Sequence, residues 1–271
     1  MRIALAQLMT GADPAANLEL VEQYTQKAAD DGAALVVFPE ATMCRFGVSL
    51  GPIAQPLDGP WADGVRAIAA RAGITVVAGM FCPSGEGRVT NTLIAAGPDT
   101  DTSYDKIYLY DAFGFSESRT VAPGHEPVLI TVDGVDVGLT TCYDIRFPEL
   151  YVELARRGAK LITVSASWGA GRGKLDQWAL LARARAIDTA GFVAAVDQAY
   201  PGDEVAATGP TGVGGSLMAS PFGDVVISAG ADPQLVVCDI DIDSVDIARE
   251  TLGVLRNRSQ LPQADKAESR R

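Results

Sequence analysis

Short apolar runs alternate with helix-like segments along the chain, and this alternation limits the possible folds more than any other feature of the sequence. Residues 3–7 and 33–38 are nearly continuous apolar runs of strand length, which is typical of strands buried on both faces. Between them, Asp13 precedes Pro14, a combination that favours the start of a helix. The order of these segments predicts βα units, in which helices cover the faces of a sheet.

Other segments predict antiparallel hairpins. Residues 88–108 alternate around a turn-rich centre at 97–102, and Asp133-Gly134 between two apolar runs is a strong signal for a tight turn. Further strands are predicted at 74–81, 161–165 and 192–197 and near Ser216, Val225 and Val236, and helices at 61–72, 148–158, 175–189 and 243–252. Helices outside sheets of mixed strand direction predict an α/β sandwich of layers.

The chain length fits one domain, because many α/β proteins of about this size fold around a single core. We expect this domain to cover residues 1–252 of the 271 in the sequence. Residues 253–271 are expected to form a C-terminal tail. Its polar and charged part, from Gln260 onwards, would be loose or would lie over a neighbouring subunit.

Composition excludes several classes of partner. A formal net charge of −12 argues against nucleic acid, because such binding depends on clustered Lys and Arg. The chain has no apolar stretch long enough to span a membrane, and its first apolar run is too short for a secretory signal, so we expect a cytoplasmic protein. The spacing of Cys44, Cys82, Cys142 and Cys238 fits neither a metal site nor a small disulfide scaffold, which predicts free thiols and no metal.

Cys142 lies where a strand-like run gives way to a helix that starts near Pro148. This placement is typical of an elbow that presents a nucleophile beside a backbone N–H. The alternative is a small buried hydrophobic residue, since free cysteine is often buried. The sole histidine, His125, lies in a loop rich in proline and glycine, so cysteine chemistry here would depend on a carboxylate and a lysine.

Glu40 and Lys106 are the candidates for these two groups. Glu40 immediately follows an apolar strand, and Lys106 is expected inside a strand-like segment at 104–109. A glutamate at a strand end is more often a solvated residue, and a lysine on a strand is more often an edge charge. Their positions alone therefore leave both interpretations open.

Three segments resemble the signature segments of the nitrilase superfamily, in the order and at the spacing of that family. They are Phe38-Pro39-Glu40, Tyr104-Asp105-Lys106-Ile107 and Cys142-Tyr143-Asp144-Ile145-Arg146-Phe147-Pro148-Glu149-Leu150. Residues 115–118 and 183–187 also fit, and the similarity covers roughly residues 1–252. The resemblance implies a four-layer α-β-β-α sandwich, a homodimer or a multiple of it, and no cofactor.

The resemblance also implies roles for individual residues. Cys142 would be the nucleophile and Glu40 the general base, while Lys106 and the backbone N–H of Tyr143 would hold the oxyanion. Glu117 would be a second carboxylate near them, with a solvated loop residue as the alternative.

Four more positions could contact a substrate. Ser167 and Trp168 match a position that lines the substrate pocket, although a core tryptophan is equally compatible with the sequence. Arg146 and Arg185 could bind a substrate carboxylate, but structural ion pairs are the favoured interpretation. The pocket shape would depend on loops at 44–56 and 169–173, the second of which is rich in glycine.

The segment that starts at Cys142 looks like the omega-amidase and deaminated-glutathione-amidase branch of the superfamily. This predicts hydrolysis of a small linear amide to a carboxylic acid and ammonia through a thioester on Cys142. Two rival activities use the same three residues, hydrolysis of an N-carbamoyl amino acid and of a nitrile. A non-catalytic member of the superfamily is the remaining alternative. The sequence does not identify the amide.

Overall fold

Two β-sheets lie face to face at the centre of the protein. The computed structural model describes residues 1–85, 87–112, 114–206 and 209–259. The strands are, in chain order, β1 (Arg2–Gln7), β2 (Leu35–Val37), β3 (Thr75–Pro83), β4 (Val89–Gly97), β5 (Thr100–Asp105), β6 (Val121–Ala122), β7 (Leu129–Val132), β8 (Val135–Thr141), β9 (Leu161–Ala166), β10 (Phe192–Asp197), β11 (Leu217–Ala219), β12 (Val225–Ser228) and β13 (Gln234–Asp239). The first sheet has the order β13-β1-β2-β3-β4-β5, with β6 beside β4, and the second has the order β12-β11-β10-β9-β8-β7.

Helices cover the outer face of each sheet. The helices of the described chain are α1 (Pro14–Asp30), α2 (Pro60–Ala72), α3 (Pro148–Arg156), α4 (Lys174–Thr189), α5 (Asp203–Ala206) and α6 (Asp243–Leu252), with short 3-10 helices at Glu117–Arg119 and Cys142–Arg146. Helices α1 and α2 pack on the first sheet, and α3 and α4 on the second. Within the described ranges, no helix has the length and apolar character needed to cross a membrane.

Alternating side chains explain why the strands read as continuous apolar runs. In β1, Leu5 packs between the two sheets, whereas its neighbours Ala4 and Ala6 pack towards α1 and α2. In β9, Leu161 packs between the sheets and Val164 packs towards α3 and α4. Because successive strand residues face opposite sides, a strand in the middle of four layers buries both of its faces and favours apolar residues on each. The predicted α-β-β-α sandwich is therefore confirmed.

Local signals placed several element boundaries correctly. The Asp13 side chain accepts the backbone N–H of Ala15 at 2.9 Å and so caps α1. Asp133 and Gly134 both have positive φ, 50° and 75°, which is the conformation of a tight hairpin turn between β7 and β8. The predicted hairpin at 88–108 is the antiparallel pair β4 and β5.

Other boundaries differ from the prediction. Lys106 was expected inside a strand, but β5 ends at Asp105, because the chain then turns so that the Tyr108 N–H donates to the buried carboxylate of Asp144. The 3-10 helix at Cys142–Arg146 and the short elements β6 and α5 were not predicted. Helix α6 ends at Leu252 as expected. The predicted tail from Gln260 onwards lies outside the described residues.

The candidate site lies where the carboxyl ends of strands from both sheets meet. Glu40 follows β2 of the first sheet, while Cys142 follows β8 and Ser167 follows β9 of the second. Ligands of open α/β sheets bind at such carboxyl ends, since the loops there leave a crevice. The face-to-face packing of the sheets thus brings side chains from distant parts of the chain to one place.

Candidate active site

A tight turn after β2 buries the side chain of Glu40, which is 1% exposed. The next residue, Ala41, has a φ of 58°, a left-handed conformation that is uncommon for a residue with a side chain. Gly79 on the adjacent β3 makes room for the turn, since a Cβ there would lie 2.7 Å from the backbone nitrogen of Ala41. The close approach of β3 therefore requires glycine at this position.

Lys106 lies between two buried carboxylates. Its Nζ is 2.9 Å from Glu40 Oε1 and 2.9 Å from Glu117 Oε2. Burial by itself would lower the pKa of Lys106, but the charges of Glu117 and Glu40 outweigh burial and raise this pKa well above its usual value. The ammonium is therefore charged at neutral pH. Glu117 is 4% exposed and also accepts the Tyr110 N–H, so the solvated-loop alternative does not describe it.

The thiol of Cys142 faces this cluster from the second sheet. Cys142 has a φ of 47°, a strained conformation for a residue other than glycine, and it is half-buried at the start of the 3-10 helix. Burial, followed by the nearby charge of Glu40, raises the pKa of Cys142 well above its usual value. Glu40 also accepts a hydrogen bond from the thiol. The resting group is therefore a neutral thiol beside a carboxylate that can take its proton.

Asp144 holds the elbow that carries Cys142. Its carboxylate accepts the Thr141 N–H at 2.8 Å, the Tyr104 hydroxyl at 2.6 Å and the Tyr108 N–H at 2.9 Å. Burial raises the pKa of Asp144 to about 6, although these three donors oppose the shift. Tyr104 and Tyr108 flank Lys106 in the sequence. Asp144 therefore links the segment that carries the ammonium to the segment that carries the thiol.

A cavity of about 450 Å³ opens above these groups. Glu40, Lys106, Glu117 and Cys142 all line it, as do Tyr143, Ser167 and Trp168. Both loops that were expected to shape the pocket contribute, the first through residues 46–51 and the second through Gly169. All seven candidate site residues therefore lie around one space, which is large enough for a small organic molecule.

Ser167 and Trp168 form one wall of the cavity, and a hydrogen bond connects this wall to Glu40. The Ser167 backbone N–H donates to Glu40 Oε2 at 3.0 Å, while the Trp168 N–H donates to Asp197 at 2.7 Å. Burial raises the pKa of Asp197 to about 8, against the opposing effect of its backbone N–H donors. Trp168 is 4% exposed yet lines the cavity, so it is both a core residue and a pocket residue.

Two cations lie beside Trp168 at one side of the cavity. The guanidinium of Arg146 is 5.1 Å from the centre of the Trp168 ring, and Lys174 Nζ is 6.0 Å from it. Among the described residues Arg146 makes no ion pair, in contrast to the favoured interpretation, because its hydrogen bond goes to the neutral Gln177 side chain instead. Arg185 does form the expected ion pair, with Asp188 at 2.8 Å.

Several residues do not belong to the site. His125 is exposed and does not line the cavity, as expected. Cys44, Cys82 and Cys238 are free thiols that do not line it either. In the part of the chain that the structure describes, no group of three or more His, Cys, Asp or Glu could hold a metal ion. Independence from metals and cofactors stays a prediction.

Sequence reasoning assigned no role to Asn91, although the residue is central to the cluster. Its Nδ2 donates to Glu40 Oε1 at 2.7 Å and to Glu117 Oε1 at 3.2 Å. The available signal was a polar residue inside a strand that is otherwise apolar, since Asn91 is 1% exposed on β4. A buried amide inside a sheet needs partners, and those partners turn out to be the two carboxylates.

Comparisons with known proteins identify the family of the chain. The profile of the family described as carbon-nitrogen hydrolase matches residues 2–250. The chain is 66% identical to Hydrolase Rv0480c of Mycobacterium tuberculosis over the whole of both chains. It is 33% identical to the deaminated glutathione amidase of Escherichia coli O157:H7, with 97% of this chain and 98% of that protein covered.

A solved structure of an amidase mutant from Nesterenkonia sp. AN1 has the same fold. It superposes with a TM-score of 0.79 at 25% identity, covering 95% of this chain and 94% of that one. That structure carries the acetamide moiety of fluoroacetamide, added covalently at its active-site cysteine. Together with the match over residues 2–250, this likeness shows that the chain belongs to the carbon-nitrogen hydrolase family of the nitrilase superfamily.

Proposed function

We propose that the protein hydrolyses the carbon-nitrogen bond of a small linear amide, and releases ammonia and a carboxylic acid. The observation that carries this proposal is the meeting of Cys142, Glu40 and Lys106 at the floor of one cavity. A thiol, a carboxylate within hydrogen-bonding reach of it and a buried ammonium are the groups that acyl transfer through a thioester needs.

The first half of the reaction forms the thioester. Glu40 accepts the thiol proton as Cys142 Sγ attacks the amide carbon. The carbonyl oxygen becomes an oxyanion, which Lys106 Nζ and the backbone N–H of Tyr143 stabilise. The Tyr143 N–H is suited to this role because it lies in the first turn of a 3-10 helix, where N–H groups have no acceptor within the helix. Glu40 then returns the proton to the nitrogen, and ammonia leaves.

The second half of the reaction hydrolyses the thioester. Glu40 accepts a proton from water, whose oxygen attacks the acyl carbon, and the same two donors hold the second oxyanion. The carbon-sulfur bond breaks, and the proton on Glu40 returns to the thiolate. One oxyanion donor is typically worth about 3 to 4 kcal/mol in the transition state, so Lys106 and Tyr143 would supply a large part of the rate enhancement.

The positive side of the cavity suggests an amide whose far end is anionic. Burial, followed by the charge of Arg146, lowers the pKa of Lys174, which indicates that the two cations repel each other. The Nε of Arg146 is buried without a hydrogen-bond partner in the described residues. A carboxylate between Arg146 and Lys174 would relieve the repulsion and accept hydrogen bonds from the guanidinium. This supports a monoamide of a dicarboxylic acid as the substrate class.

An ammonia-release assay tests the substrate class. We expect the monoamide of a four- or five-carbon dicarboxylic acid to exceed its matched nitrile by at least about tenfold in kcat/KM. In Arg146→Leu, kcat/KM for this monoamide should fall by at least about tenfold while that for a neutral amide of the same length changes little. Equal values for amide and nitrile would contradict amide hydrolysis. Release of carbon dioxide with ammonia from an N-carbamoyl amino acid, at a higher kcat/KM, would instead identify the carbamoyl-hydrolase alternative.

Glu117 is proposed to hold Lys106 in place for the oxyanion. Replacing it with glutamine keeps the shape but puts a neutral group beside the ammonium. We expect Glu117→Gln to fold and to lose at least about tenfold in kcat/KM, or 1.4 kcal/mol. Thermal melting should accompany the kinetics. Glu153→Gln, which removes the surface ion pair with Arg157, is the matched control. Wild-type kinetics in a folded Glu117→Gln protein would show that Glu117 has no role in catalysis.

The homodimer and the cytoplasmic location that were expected from the sequence stay predictions. The small-molecule amide is the only partner that the proposal requires.

A further inference from the structure

Asn91 occupies a position from which it acts on both carboxylates of the site without reaching the cavity. Its amide nitrogen bridges Glu40 Oε1 and Glu117 Oε1, at 2.7 and 3.2 Å. Its backbone carbonyl accepts the N–H of Lys106 at 2.9 Å, so the same residue also holds the segment that carries the ammonium. Asn91 is absent from the residues that line the cavity, so its contact with the site goes through the two carboxylates.

The charges of the cluster explain why a neutral donor is needed at this place. Two carboxylates share one ammonium, so the buried group carries an excess negative charge when both are ionised. Within the described residues, the Glu40 carboxylate accepts hydrogen bonds from the Lys106 ammonium and the Cys142 thiol. It also accepts hydrogen bonds from the Asn91 amide and the Ser167 backbone N–H. A second cation would cancel the remaining negative charge of the cluster. An amide is neutral, so it donates a hydrogen bond to the carboxylates without taking part in proton exchange.

The carbonyl oxygen of the Asn91 side chain supports a functional role for this residue. Asn91 Oδ1 is buried and has no hydrogen-bond partner in the described part of the chain. An unpaired buried acceptor destabilises a fold, and a side chain without polar atoms would avoid this penalty. Polar groups that are kept at a cost to stability are typical of functional sites. At Asn91 this cost accompanies the two hydrogen bonds that the side chain donates to Glu40 and Glu117.

We propose that Asn91 is a positioning residue that aims Glu40 at Cys142 and holds Glu117 against Lys106. This inference rests on the proposed amide hydrolysis, in which Glu40 is the base. Without the amide donor, Glu40 is no longer held in the geometry in which it accepts the thiol proton, because second-shell hydrogen bonds fix the orientation of a functional side chain. The reactivity of Cys142 should then fall.

The titratable and charged groups near Glu40 come from several elements. They are Lys106 after β5, Glu117 in its 3-10 helix, Cys142 at the elbow and Asp197 at the end of β10. Replacing Asn91 changes none of these groups directly. A change in the reactivity of Cys142 in the variant therefore reports on the donors to the carboxylates.

The test compares Asn91→Leu and Asn91→Ala with Thr92→Val. Leucine has a similar size without a donor, and alanine cannot overpack the site. Thr92 is the neighbouring residue on β4. Its hydroxyl donates to Asp105 at 2.6 Å and shares a hydrogen bond with the Thr90 hydroxyl at 2.7 Å, so Thr92→Val removes hydrogen bonds from the same strand but none from the cluster. Each variant is measured by amide hydrolysis and, separately, by alkylation of Cys142 with iodoacetamide, both at pH 7. Alkylation needs only the thiol and its base, so it reports on Asn91 even if the amide substrate has been misassigned.

We expect the rate of Cys142 alkylation at pH 7 to fall at least about tenfold in the Asn91 variants, because the thiol no longer faces a correctly oriented carboxylate. At pH 7, kcat/KM should fall at least about tenfold. Thr92→Val should keep the wild-type rates even if its melting temperature falls. Wild-type rates in the Asn91 variants with only a lower melting temperature would overturn the proposal. Failure of both Asn91 variants to fold, while Thr92→Val folds, would also overturn it, because Asn91 would then be a requirement of the fold alone.

Discussion

Replacing Cys142 with alanine is expected to lower kcat/KM for the amide by at least about 10⁴-fold, since no other group can form the acyl intermediate. The fold should be unaffected. The side chain is half-buried, and alanine adopts the left-handed φ of 47° at a cost similar to that for cysteine. Ammonia release gives the rate, and mass spectrometry after incubation with an alkylating amide should show an adduct on the wild-type protein that the variant lacks.

The other three cysteines provide matched controls. Cys44 and Cys82 are buried, and Cys238 lies on β13 away from the cavity. Their replacement by alanine should leave kcat nearly unchanged, although the two buried positions will lose some stability through the small cavity left behind. Full activity in Cys142→Ala, or loss of activity in Cys238→Ala alone, would contradict the assignment of the nucleophile.

Replacing Lys106 with methionine is expected to remove both activity and stability. The side chain is 2% exposed and pairs with two carboxylates, so its loss leaves Glu40 and Glu117 buried without a cation. Removing one partner of a buried ion pair typically costs about 3–5 kcal/mol. The oxyanion would also lose one of its two donors. Denaturant unfolding and amide kinetics measure the two effects separately.

Two further variants distinguish the loss of a buried charge from the loss of any lysine. Lys160 pairs with Asp246 at 2.7 Å near the surface, and Lys160→Met should cost less than about 1 kcal/mol. Adding Glu117→Gln to Lys106→Met should recover part of the stability, because one fewer carboxylate is left unpaired, but no activity. Unfolding of Lys106→Met at the same denaturant concentration as Lys160→Met would show that the buried cluster does not depend on its cation.

Much of the fold follows from patterns that are local in the sequence. Residues 3–6 of β1 and 192–196 of β10 are all apolar because both faces of these strands are covered, and that pattern predicted strands between layers. The turn at Asp133-Gly134 and the cap at Asp13 depend on the backbone preferences of a few consecutive residues, so they were predictable as well.

The sequence also singled out Glu40, Lys106 and Cys142 as candidates, since each lies in a short segment that resembles a family signature. Their mutual distances were not accessible, and neither were the residues that connect them. Asn91 lies 51 residues from Glu40 and 26 from Glu117, yet it bonds to both. Asp144 accepts a hydrogen bond from the hydroxyl of Tyr104, which lies 40 residues away in the sequence. Only the tertiary structure assigned these partners.

Arg146 illustrates the reason. Its sequence context favoured an ion pair, but sheet packing places it beside Trp168 and the cavity, where Gln177 on α4 is its hydrogen-bond partner. Periodicity specifies which face of an element is buried, because burial depends on neighbours three or four residues away on a helix and two away on a strand. The partner of a buried polar group depends instead on which strand ends meet when two sheets pack. That choice is made by the whole core, and no local segment of the sequence encodes it.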